Sequence, residues 1–88
     1  MIKEQVVVMA KAGLHARPAN NLVKKAQTFK CTVEIGVNGK KYNAKSMLGI
    51  LASGVNYGTT VEVICTGEDE EEACKQIIHL IKEDIDKN

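Results

Sequence analysis

The stretch Cys31-Thr32-Val33-Glu34-Ile35-Gly36-Val37-Asn38-Gly39-Lys40-Lys41-Tyr42-Asn43 decides the fold. Apolar and polar residues alternate from Cys31 to Val37, the period-2 pattern of a strand with one buried face. Asn38-Gly39 is the preferred two-residue type I′ turn, because both of its positions need a positive φ. Lys40 to Asn43 therefore returns as the antiparallel partner. A sheet that begins as such a hairpin must have one face covered, and the flanking segments have to supply the cover.

Upstream, residues 2 to 9 end in the apolar run Val6-Val7-Val8-Met9 and read as a strand. A turn at Gly13 follows, then a helix to about Gln27 in which Ala19, Leu22, Val23 and Ala26 recur at helical spacing with Lys24 and Lys25 opposite. Downstream, Ser46 precedes Met47, Leu48, Ile50 and Leu51 in a short helix closed by Gly54, and Gly58 turns the chain into a fourth strand, Thr60 to Cys65. Asp69 with Glu72 reads as a capping box, and Ala73, Cys74, Ile77, Ile78, Ile81 and Ile85 form one stripe of a last helix. His79 falls on the opposite, solvated face of that helix. The order β-α-β-β-α-β-α predicts an α+β fold, a four-stranded antiparallel sheet with three helices on one face, as a single domain over residues 1–88.

Composition removes several function classes. Three aromatics, Phe29, Tyr42 and Tyr57, cannot build a base-stacking platform, and a net charge of +1 gives no basic footprint, so no nucleic acid is expected. Cys31, Cys65 and Cys74 lack metal-ligand or C-x-x-C spacing and read as small buried hydrophobes of a reducing compartment. No metal or other cofactor is expected. The N-terminal residues have no signal-peptide apolar region and no apolar run reaches membrane-spanning length, which points to a cytoplasmic chain without membrane insertion. Charge is unevenly shared: residues 1–45 carry nine Lys or Arg against two acids, residues 46–88 three against nine. The first half is the side for an anionic ligand or an acidic partner.

That half contains Gly13-Leu14-His15-Ala16-Arg17-Pro18-Ala19. Pro18 fits only the first turn of a helix, where no intrahelical N–H is needed. The unpaired N–H groups of that turn, including those of Ala16 and Arg17, and the positive end of the helix dipole then lie beside His15. A phosphoryl group could be held there without a metal. Gly13 permits a close backbone approach. His15 alone would more often be a surface or capping residue, and Arg17 alone a solvated charge. Together with a first-turn proline and a preceding glycine they make an anion site with a nucleophile in it.

The segment resembles the active-site signature of the histidine-containing phosphocarrier family, HPr, of the bacterial sugar phosphotransferase system. Asn38-Gly39-Lys40, Lys45-Ser46 before a short apolar helix and the acidic start of the last helix fall where that family has them, so the resemblance spans the whole chain. It implies an open-faced β-sandwich of the HPr type. It also implies a stoichiometric carrier rather than an enzyme, in which His15 takes phosphate on Nδ1 from phospho-enzyme I and passes it to a sugar-specific enzyme IIA, with Arg17 assisting. Lys45-Ser46-Met47-Leu48-Gly49 resembles the Gram-positive type, which implies regulation by an HPr kinase/phosphorylase at Ser46 and binding of catabolite control protein A. Met47, Leu48 and Leu51 are expected to leave an exposed docking patch for the partners, on a monomer. The chain departs from the family at Ala12, where many members carry a small polar residue. A regulatory paralogue acting through Ser46 is the alternative, although such paralogues lack the phosphorylatable histidine. An unrelated interaction or RNA-binding domain is the third class.

Overall fold

The computed structural model describes residues 1–86. Its order is β1 (Ile2–Val7), α1 (Ala16–Gln27), β2 (Thr32–Val37), β3 (Lys40–Asn43), α2 (Met47–Ala52), β4 (Thr60–Thr66) and α3 (Glu70–His79), continued by a π-helical turn, Leu80–Asp84. This is the expected α+β fold. The strands form one antiparallel sheet in the order β1-β4-β2-β3. The hairpin turn is of the predicted kind: Asn38 and Gly39 have φ of 53° and 76°, and Val37 pairs with Lys40.

Register explains the core. Val6 opposes Val61, Val33 opposes Cys65 and Ile35 opposes Val63, and all six side chains are buried on the face that the helices cover. Leu22 and Ala26 of α1, Ile50 of α2 and Ile77 of α3 close over them, with Ile81 and Ile85 extending the last apolar stripe. Ile64 is buried on the other face, flanked in register by Lys3 and Glu34. The cysteines are buried as expected, and Cys31, Cys65 and Cys74 belong to the same core cluster. Burial above all, and then its neighbouring thiols, push the Cys65 thiol up to about 12, so it stays protonated and behaves as an apolar group.

Three local expectations are corrected. β1 ends at Val7 rather than at residue 9; Val8 still bonds Gly58 and Thr59, and Met9 is exposed. Asp69 is the N-cap of α3 but caps nothing with its side chain. Its carboxylate instead accepts the N–H groups of Lys30 and Cys31, each at 2.9 Å, at the entry to β2. Glu72 accepts from Gln76 one turn on, while Glu70 Oε1 accepts the Gly67 N–H and the Glu70 N–H returns to the Gly67 carbonyl, a backbone turn rather than a capping box. Finally, α3 does not continue as α-helix to Ile85. In the π-helical turn residues five apart come together, and His79 Nε2, exposed as expected, lies 3.1 Å from Asp84 Oδ2.

Candidate functional site

His15 is the residue from which α1 starts. Its backbone is extended, with φ −87° and ψ −168°, while its carbonyl already accepts the first helical bond, from Ala19 N–H at 2.8 Å. An N-cap of Ser, Thr, Asp or Asn would turn its side chain onto the helix N–H groups. The His15 side chain makes no capping bond, so the imidazole is left for other chemistry. Pro18 stands third in the helix and is buried, its missing N–H being one that the first turn does not use. The N–H groups of Ala16 and Arg17 therefore have no intrahelical acceptor.

Electrostatics agree with that geometry. The first turn of α1 has no acidic side chain, so the positive end of the helix dipole is uncompensated, whereas Lys24 and Lys25 lie in the last turn, where cations belong. His15, Ala16 and Arg17 are exposed between two buried anchors, Leu14 and Pro18. Among the described residues neither His15 nor Arg17 is taken up in an ion pair. An exposed imidazole and guanidinium thus stand at the start of a helix whose first N–H groups have no intrahelical acceptor.

The loop after α2 forms the neighbouring wall. Leu14 N–H donates to the Val55 carbonyl at 2.9 Å, and Gly13 has φ +75° with its Cα face against Val55 and Asn56, where an added Cβ would collide with backbone. The close approach that Gly13 permits is thus to the chain itself, fixing the residues ahead of His15. Val55 and Asn56 carried no sequence signal for this role, because nothing local links them to residue 13. Exposed Tyr57 follows them.

α2 lies alongside α1. At one end Gln27 Nε2 donates to the Lys45 carbonyl, and at the other Val55 meets Leu14, so Ser46 and His15 stand at opposite ends of α2. The helix is six residues long, about 9 Å at 1.5 Å per residue. Ser46 is its N-cap, with Oγ accepting Gly49 N–H at 3.1 Å. Ile50 points into the core and Met47 is half-buried against it, but Leu48 and Leu51 are 81% and 42% exposed. Being three residues apart, they share one face of the helix. Of the three residues expected to be exposed, Leu48 and Leu51 are, and Met47 is partly buried.

Comparison with known proteins agrees with this arrangement. Residues 2–83 match the family model for the HPr component phosphorylation site of the phosphotransferase system. The HPr-like protein Crh of Bacillus subtilis (strain 168) is 40% identical over 85 residues, covering 97% of this chain and all of Crh. A phosphocarrier protein HPr from Bacillus anthracis superposes with a TM-score of 0.88 at 33% identity, covering 92% of this chain and 96% of that one. An HPr dimer from Thermoanaerobacter tengcongensis gives 0.78 at 38% identity, covering 99% of this chain and 100% of that one. A helix N-terminus built around His15, inside a sheet and helix order shared with these proteins over nearly the whole chain, leads to one conclusion: the chain belongs to the HPr family of phosphotransferase-system phosphocarriers.

Proposed function

We propose that this chain is the general, sugar-independent phosphoryl carrier of a phosphotransferase system, taking phosphate on His15 Nδ1 from phospho-enzyme I and giving it to enzyme IIA. The observation that carries the reading is the uncommitted imidazole of His15 at an N-terminus without acidic side chains. A neutral imidazole accepts a phosphoryl group near pH 7 and the resulting phosphoimidazole is a reactive donor, so one residue serves both half-reactions. The Ala16 and Arg17 N–H groups and the Arg17 guanidinium stabilise the charge spread over the phosphoryl oxygens. The helix-terminus contribution is about 0.3 to 2 kcal/mol, so each partner must supply much of the remaining stabilisation in the complex. The protein is then a stoichiometric carrier in the cytoplasm. No helix among the described residues is long and apolar enough to cross a membrane.

A regulatory role through Ser46 is the second reading, favoured by the similarity to Crh. Ser46 caps an α2 that carries exposed Leu48 and Leu51, so a phosphate added there by an HPr kinase/phosphorylase would sit beside the surface offered to enzyme I and to catabolite control protein A. The two readings are compatible in one molecule. The carrier is taken to act as a monomer, to be checked by its sedimentation at working concentration against the dimer recorded for the Thermoanaerobacter relative.

Incubation with phosphoenolpyruvate and enzyme I tests the main reading. One acid-labile, base-stable phosphate per chain is expected, lost in His15→Ala with the circular-dichroism spectrum unchanged. Labelling that survives this substitution, or that follows His79, refutes it.

A further inference from the structure

The turn that leads into His15 is held from three sides, and one of the holds comes from the far end of the sequence. Gly13 N–H donates to the Ala10 carbonyl at 2.9 Å and closes a tight turn over Lys11 and Ala12. Ala10 is fully buried, and Leu14, on the other side, is bonded to Val55. The tip of the turn is exposed, yet it is tied: Lys11 N–H donates to Asp86 Oδ2 at 3.0 Å, across 75 residues of sequence. Asp86 is itself placed by its neighbour. Ile85 is buried, and its carbonyl accepts Asn21 Nδ2 of α1 at 3.0 Å. The segment after the π-helical turn therefore spans from the body of α1 to the turn that sets the start of α1.

We infer that Asp86 is a positioning residue for His15, acting through Lys11 N–H to hold the Ala10–Gly13 turn. The inference rests on the reading of His15 as phosphoryl acceptor. Only Gly13 and Leu14 separate His15 from this turn on the chain, and phosphoryl transfer tolerates little misplacement of the attacking atom. Without the carboxylate, Lys11 N–H finds water at little cost to folding, because the tip is exposed. What is lost is the fixed position of the turn. The effect then falls on the transfer step and leaves partner docking alone, since Leu48 and Leu51 lie on α2, which contacts neither Lys11 nor Asp86 through any of these bonds. The requirement is for an acceptor atom rather than for a negative charge, which near an anion site would work against phosphate. Asn at this position retains such an acceptor in its amide oxygen.

The test compares full-length Asp86→Ala and Asp86→Asn with the parent as substrates of enzyme I, and measures exchange of the Lys11 amide proton by NMR. Asp86→Ala should lower kcat about 3- to 10-fold with KM within about twofold, and should expose the Lys11 amide to faster exchange. Asp86→Asn should restore both. Parent kcat in Asp86→Ala overturns the inference, as does unchanged Lys11 exchange, or equal impairment by Ala and Asn, which would assign the effect to charge. If the parent takes no phosphate on His15, the carrier reading fails and the inference with it; altered Lys11 exchange in Asp86→Ala then identifies a structural tether alone.

Discussion

Asp69 closes the entry to β2 by accepting the Cys31 N–H on Oδ1, while its other oxygen takes the N–H of Lys30. The bond from Lys30, followed by that from Cys31, holds the Asp69 carboxyl down at about 2 from an ordinary value of 3.8, against an opposing contribution from burial. Glu70 is lowered too, first by the Gly67 N–H and then by the N-terminal ammonium, which lies 2.9 Å from Glu70 Oε2.

A carboxylate whose folded value is depressed stabilises the fold above its unfolded value and loses that contribution as pH falls through the folded one. Stability to urea should therefore be level from about pH 5 to about pH 8 and decline from about pH 4 to about pH 2. In Asp69→Asn the urea midpoint should be lower at pH 7 and the decline shallower. Parallel pH curves for the two proteins would show that Asp69 does not set the acid response.

The Arg17 guanidinium is planar and presents several donors at once, which a lysine ammonium cannot do. Arg17→Lys should slow phosphoryl transfer from enzyme I by about 10- to 100-fold, equivalent to roughly 1.4 to 2.7 kcal/mol at the barrier. Rapid-quench measurement of phospho-His15 formation gives the rate directly. An Arg17→Ala variant that transfers at the parent rate would leave the residue a surface charge.

Leu48 is 81% exposed, so its replacement by glutamate should move the melting temperature by no more than about 4 °C. A buried anchor of a protein interface is worth more than this, and transfer from enzyme I and to enzyme IIA should both slow by about tenfold. If both steps keep their rates and only the melting temperature falls, Leu48 belongs to the fold and not to a docking surface.

Ser46 should separate stability from transfer. Ser46→Ala removes the acceptor for Gly49 N–H and should cost about 1 kcal/mol, a fall of roughly 4 to 8 °C in melting temperature for a domain of this size. Ser46→Asp keeps an acceptor and adds a charge favourable to a helix N-terminus, so it should melt no lower than the parent. The same charge must be desolvated or repelled when a partner covers α2. At a penalty of ~1 to 3 kcal/mol, phosphate acceptance from enzyme I should slow by about 5- to 150-fold. Equal rates for Ser46→Asp and the parent, measured below saturation, would leave Ser46 a helix cap only.

Much of this protein was legible in its sequence wherever the physics is local. The Asn38-Gly39 turn follows from the positive φ that both residues must adopt, the buried face of α1 from the spacing of Ala19, Leu22, Val23 and Ala26, and the α2 cap from a serine directly ahead of the apolar run that starts at Met47. The start of α1 at His15 was legible as well, because a proline is accepted in the first turn of a helix and the unpaired groups of that turn lie within a few residues of chain. Tertiary structure decided everything that depends on partners remote in sequence. Asp69 reads as a capping residue until two unpaired N–H groups at the start of β2 take its carboxylate. Gly13 reads as room for a ligand until Val55 and Asn56 fill that room. The tie from Asp86 to Lys11 is of the same kind: a hydrogen bond needs its two atoms about 3 Å apart, and only the folded chain brings residues this distant in sequence to that separation.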